Sequence, residues 1–398
     1  MGMDAISKVR ARRNAVWLGP GAGDFDRFKV EVSRETLAPD WPLAAAVEKN
    51  VLIYDGDAVR NAASATEARL DLMAEWMVAL DTGPGVIVIK GALPDRAVVE
   101  RATAVFDDLI ERQKTEGAGA GDHFAKPGAN DRIWNAIEKH ALADPAGFAA
   151  YYASDALAMA AEAWLGRGYQ ITAQVNRVNP GGAAQKPHRD YHLGFMVPEE
   201  MAAFPAHIHK VSPVLTLQGA MAHCDMPVES GPTVFLPYSQ SFFEGYLAFS
   251  EPAYQDWFAA HHVQLPLEMG DAVFFNPALM HGAGENKSQD IRRMANLLQV
   301  SSAFGRAMES IDRDRMARAV YPALLEATGA GMTPRAAANV VAATAEGYAF
   351  PTNLDRDPPV GGMAPKTPAT HMIEALEARR SVGDFVATLK ALAEKRLA

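Results

Sequence analysis

At 398 residues the chain has room for two domains, or for one large domain with extensions. Its 49% hydrophobic and 22% charged residues describe an ordinary globular composition, with no apolar run near the roughly 18 residues of a membrane helix. A net charge of −10 without a basic run argues against nucleic acid or an anionic membrane as partner. The single cysteine, Cys224, excludes an internal disulfide framework and a multi-thiolate zinc site.

Residues 1–80 read as an irregular extension that turns helical over ATEARLDLMAEWMVAL. GVIVIKG (85–91) is a short β-branched run between glycines, which predicts a buried strand. A helix follows, with Pro94 in its first turn and Val98, Ala102, Val105, Phe106 and Leu109 at core-facing spacing. The glycine-rich stretch 116–131 lacks the Gly-Lys-Ser/Thr ending of a phosphate loop and reads as a mobile loop. Residues 132–168 are mostly helical.

From about 170 to 304 the pattern changes. YQITAQVNRVN, VLTLQGAMAHC, TVFLP, AVFFN and ANLLQVSSAF are short runs separated by Gly, Pro, Asn and Asp, which predicts a β barrel or sandwich. Helix returns over 306–348. A connection with five prolines (350–370) leads to one final amphipathic helix, whose apolar face predicts packing contacts or a homo-oligomer contact. The chain thus divides into an extension (1–80), a β domain with a helical N-terminal part (81–305) and a helical extension (306–398). The start of the chain lacks the apolar core of a signal peptide, and the single cysteine makes the cytoplasm the expected compartment.

KPHRDYHLGF (186–195) places His188, Asp190 and His192 at every second position. In an extended segment all three face one side. His188 and Asp190 are then roughly 7 Å apart at Cα and can share an ion, whereas His192 is roughly 13 Å from His188. A more distant ligand is needed. His281 has the best setting, after a strand and before a Gly-Ala-Gly turn where backbone can bend close to an occupied site. Two histidines and a carboxylate leave open positions of the kind non-haem Fe(II) oxygenases use. Zinc with a bound hydrolytic water is the competing reading. A cupin-like, non-catalytic binding protein is a third. Arg292, on what should be the next strand, favours the first, because a guanidinium fork suits the far carboxylate of a metal-bound 2-oxo acid.

HRD at 188–190, ESGPTVFLPYSQS (229–241), GDAVFFNPALMH (270–281) and HGAGENKSQDIRR (281–293), with GVIVIKGAL (85–93) upstream, resemble the phytanoyl-CoA dioxygenase family of Fe(II)/2-oxoglutarate oxygenases. The likeness spans roughly residues 80–305. It implies a double-stranded β-helix (jelly-roll, cupin-like) core flanked by helices. It implies His188, Asp190 and His281 as iron ligands, and a dioxygenase that hydroxylates a small-molecule substrate with O2 and 2-oxoglutarate, releasing succinate and CO2. The family spacing gives the distal carboxylate of 2-oxoglutarate to Arg292, with Arg293 the competitor, since neighbours on a strand face opposite ways. Gln174 or Asn176, polar residues on an early barrel strand, would help hold the co-substrate.

Other residues have plainer readings. His192 is a pocket wall or a donor to a ligand. Tyr191 packs structurally. His207 and His209 are exposed. Trp134 and Arg177 line a cavity or serve packing and surface roles. Cys224 is a small buried hydrophobe.

Overall fold

A computed structural model describes residues 3–19, 21–116 and 128–397. The loop expected within 116–131 falls largely on 117–127, outside the described residues.

The strands are β1 (Ala46–Glu48), β2 (Val51–Asp55), β3 (Val86–Lys90), β4 (Asn130–Ile133), β5 (Gln170–Val178), β6 (Thr216–Ala222), β7 (Val234–Leu236), β8 (Val263–Gln264), β9 (Ala272–Phe275), β10 (Met280–Gly282) and β11 (Arg293–Ser301). Among the described residues they form an eight-stranded sheet in the order β1-β2-β3-β9-β6-β11-β5-β4 and a three-stranded sheet β10-β7-β8. Every pairing is antiparallel except β2 with β3.

Side-chain alternation gives the large sheet two different faces. Ile87, Ile89, Val175, Leu217, Phe274 and Val300 point to one face and join a core with the helices. Val86, Val88, Ala220, Val273 and Phe275 point to the other and meet Phe235 of the small sheet and Leu265 just after β8. Phe235 packs edge-on to Phe275 with ring centroids 5.1 Å apart. The fold is therefore mixed, a large sheet with one helical face and one face turned toward a second sheet.

Several details differ from the sequence reading: helices Met3–Val16, Phe25–Val32 and Gly56–Ala63 lie in the extension read as irregular, β4 opens the stretch read as loop and helix, and three further details follow. Residues 46–55 are not irregular. They form a hairpin in which Lys49 and Asn50 turn the chain with φ of 50° and 68°, the two positive φ values of a type I′ turn. Without a glycine the turn left little sequence signal. Second, the helix after β3 begins at Arg96, where the Asp95 carboxylate caps the Ala97 N–H, and its buried stripe is centred on Val99, Ala102, Phe106 and Ile110. Third, the last helix is two helices, Pro368–Glu377 and Val382–Lys395. Arg379 takes φ 47°, and the Ser381 hydroxyl caps Asp384 N–H to restart the helix. The C-terminal helices add Met316, Val320, Tyr321, Leu324 and Phe385 to the same core as the sheet.

Candidate metal centre

The segment 185–190 runs beside β10. Gln185 N–H donates to Ala283 O (2.9 Å), His188 and His281 exchange both backbone bonds (2.9 and 3.0 Å), and Asp190 N–H donates to Pro277 O (2.9 Å). This pairing keeps the segment extended, so alternate side chains part company. His188 and Asp190 face His281. Arg189 faces away, where its buried guanidinium donates to Phe242 O (2.8 Å) and to Ser239 O. Burial lowers the Arg189 pKa to about 10. Tyr191, also on the far side, packs against Tyr246 at 5.1 Å.

One ligand atom from each of His188, Asp190 and His281 lies within 4.8 Å of the other two. Nε2 of His281 is 3.6 Å and Nε2 of His188 3.8 Å from the Asp190 carboxylate. Each Nδ1 is tied to a backbone carbonyl, His188 to Lys186 O (2.9 Å) and His281 to Leu279 O (2.8 Å). A carbonyl only accepts, so each Nδ1 carries the proton and each Nε2 presents its lone pair to the common centre. Burial, reinforced by His281, lowers the His188 pKa and keeps it neutral. Burial pushes the Asp190 carboxyl up, but in the metal-free site the protonated forms of His281 and His188, with the Gln218 amide, outweigh it and hold the group well below the usual range. Neutral imidazoles with an ionised carboxylate are the state a divalent metal requires. The donor set and its aim fit such an ion.

The hollow at the triad is lined by Gln174, Asn176, Gln218 and Arg293 among others. It adjoins a larger cavity of about 720 Å³ that shares His188, Asp190 and Phe195 with it. Gln174 and Asn176, on β5, line this hollow. Arg292 does not. It is exposed and lines a separate surface hollow with Lys114, Asp131 and Arg177. Arg293 is the inward member of the pair. β11 starts there, opposite Val178, so Arg293, Ala295 and Leu297 share the face of Asn176 and Gln174. The loop before β11 sets this phase: the Asn286 amide donates to Val178 O (3.0 Å) and Ile291 O (2.8 Å). The Arg293 guanidinium donates to Ser230 O (3.2 Å) and Gly284 O (3.3 Å), and forms no ion pair with a carboxylate among the described residues. Burial lowers its pKa to about 10.

Gln218 was missed in the sequence. Its amide donates to Asp190 Oδ2, while its own buried Oε1 has no partner among the described residues. The available signal was a lone glutamine in the apolar run VLTLQGAMA. His192 stays outside the cluster, with Nδ1 bonded to Thr216 Oγ1 (2.8 Å) and Nε2 accepting from Arg306 N–H (3.2 Å). His209 corrects the expectation of exposure. It sits in the short helix Ala206–Val211, where positions two apart diverge, and is buried near Tyr191 and Tyr246 while His207 is exposed. Arg177 lies on the helical face of β5 and pairs with Asp107 (2.6 Å) and Asp131 (2.8 Å). Trp134 lies under the Arg132 guanidinium at 5.1 Å. Cys224 is only partly buried and accepts from Met294 N–H (3.4 Å).

Two imidazoles and one carboxylate, with an arginine beside them in a hollow between two sheets, are a donor set of the kind mononuclear metal-dependent oxygenases use. Comparison with known proteins narrows the class. The family model for phytanoyl-CoA dioxygenase matches residues 83–294, and the chain belongs to that family. It is a dioxygenase-type enzyme, and Fe(II) and 2-oxoglutarate are its family's cofactors. It is 27% identical over 237 residues to dioxygenase trt7 of Aspergillus terreus, a match covering 55% of this chain and 71% of that protein. Similar solved structures include the non-haem α-ketoglutarate-dependent epimerase SnoN from nogalamycin biosynthesis (TM-score 0.40, 21% identity, 60% of this chain, 82% of that one). Another is AviO1 from Streptomyces viridochromogenes Tue57 (TM-score 0.41, 18% identity, 59% and 97%). Among the described residues no helix is long and apolar enough to cross a membrane.

Proposed function

We propose that the chain is an Fe(II)/2-oxoglutarate-dependent hydroxylase of a small molecule, with His188, Asp190 and His281 as iron ligands and a double-stranded β-helix as the scaffold. The observation that carries this is the convergence of two Nε2 lone pairs, each fixed by an Nδ1–carbonyl bond, on one ionised carboxylate. When bound, iron with 2-oxoglutarate supplies O2 activation and the oxidising power for a C–H bond, with succinate and CO2 as co-products.

The protein's part is binding and orientation. Arg293 grips the distal carboxylate of 2-oxoglutarate in place of Arg292: a buried guanidinium bonded only to carbonyls has both the donors and the charge for that group. Gln174 and Asn176 flank the co-substrate from β5. Gln218 fixes the ligand carboxylate. The apolar inner face, with Phe235, Val273 and Phe275, limits water around the site. The cytoplasm and a homo-oligomer remain the working assignments for compartment and assembly.

Anaerobic titration of the protein with Fe(II) and 2-oxoglutarate tests the reading. A weak visible charge-transfer band should appear only when both are present, and His281→Ala should abolish it. A folded protein that binds Fe(II) but shows no band and no 2-oxoglutarate affinity defeats the proposal.

A further inference from the structure

The cavity of about 720 Å³ beside the triad falls in the size range of small-molecule sites. Its walls include Val178, Tyr191, Phe195, Met196, Val197 and Phe249. Of these, Phe195 and Val197 stand 62% and 53% exposed.

Charge on the same walls is sparse. Among the described lining residues Asp190 is the sole carboxylate, and it belongs to the triad. Arg189 contributes its backbone side, because its guanidinium is spent on the carbonyls of Phe242 and Ser239. Lys186 is exposed at the edge. Among the described lining residues these two are the only cations, and only Lys186 is open to a phosphorylated carrier. Apart from the triad, the polar side chains that face both hollows, Asn176 and Gln185, are neutral. Asn176 Oδ1 accepts from the Asn130 amide (3.4 Å), and the Asn176 amide nitrogen has no partner among the described residues.

We infer that this cavity takes an uncharged, largely apolar substrate, held at its outer end by Phe195 and Val197. The inference rests on the oxygenase reading only for calling the occupant a substrate. It sets this chain apart from what its family's name suggests, since a CoA thioester brings several phosphate charges and the described walls offer one accessible cation, Lys186 at the edge.

Two fluorescent probes of one skeleton test it on the full chain without added 2-oxoglutarate: neutral N-phenyl-1-naphthylamine and its sulfonate, 1-anilinonaphthalene-8-sulfonate. The neutral probe should bind at least about tenfold more tightly, a difference of ~1.4 kcal/mol. Free CoA at millimolar concentration should not displace it. Phe195→Ala should weaken it about fivefold, and Val197→Ser should weaken it in the same direction, with circular dichroism confirming both folds. Equal or tighter binding of the sulfonate, displacement by CoA, indifference to both substitutions, or no neutral-probe binding at all would each overturn the inference. None of these readings depends on iron, so they stay separate from the charge-transfer test of the oxygenase assignment.

Discussion

The Gln218 amide decides how Asp190 is presented. By donating to Oδ2 it restrains the carboxylate against rotation and favours its ionised form. Bonds of this kind typically carry 10–100-fold in metal affinity. Gln218→Ala should therefore weaken Fe(II) or Mn(II) binding by about that factor, read by anaerobic calorimetry, with thermal stability of the metal-free protein little changed. Unaltered affinity would show that the two Nδ1–carbonyl bonds suffice to fix the centre. Arg293 and Arg292 give a sharper contrast. Removing one partner of a buried charge pair costs about 2–5 kcal/mol. Arg293→Ala should lower 2-oxoglutarate affinity on the order of 100-fold or more, while Arg292→Ala, exposed and facing another hollow, should leave it within about twofold. The reverse pattern would reinstate Arg292. At this scale His188, Asp190 and His281 were legible because metal ligation demands particular side chains at particular spacings. The choice between two adjacent arginines was not, because it depends on strand phase, which the loop before β11 sets through hydrogen bonds.

At the scale of elements that loop is the structural hinge of the site. The Asn286 side chain holds Val178 O and Ile291 O and accepts from Ser288 N–H (3.1 Å), joining the end of β5 to the start of β11. Its loss leaves two carbonyls short of a donor in a buried setting, at roughly 1–3 kcal/mol. Asn286→Ala should lower the unfolding free energy by that amount and also weaken 2-oxoglutarate binding, since Arg293 is the first residue of the strand it anchors. Denaturation and binding measured on one variant test both effects; a stability loss with unchanged co-substrate affinity would mean Arg293 keeps its phase without Asn286. Long strands such as β5 and β11 were readable as runs set between Gly, Pro, Asn and Asp. The β1–β2 hairpin was not, because its turn is set by backbone angles at Lys49 and Asn50 without a glycine. The break at Arg379 was hidden for a related reason: the apolar periodicity continues across it.

For the whole molecule, stability should depend on acid through two histidines far from the metal centre. His140 and His223 are buried on the helical face of the sheet, among Phe106, Phe148 and Tyr151. His223 is satisfied by Thr103 (2.8 Å) and Tyr151 (2.9 Å), whereas neither ring nitrogen of His140 has a partner among the described residues. Burial lowers His140 to about 4, with Asp144 pulling up and Arg101 pushing down. Burial, with a contribution from His140, lowers His223 to about 3. Both folded values lie below the ordinary imidazole value, so the unfolded chain binds more protons between them and about pH 6.5. Their contribution is complete above about pH 6.5 and is lost as pH falls through the window toward 4 and 3. Each imidazole that must charge costs on the order of 1.4 kcal/mol per pH unit there. Urea unfolding of the metal-free protein at pH 7.5, 6 and 5 should show stability falling steeply below pH 6.5. His140→Leu, which fills an aromatic cage without a titrating ring, should flatten that fall by about one proton's worth. An unchanged slope in this variant would mean that His140 is not held neutral by its surroundings, and that the acid sensitivity belongs to other groups.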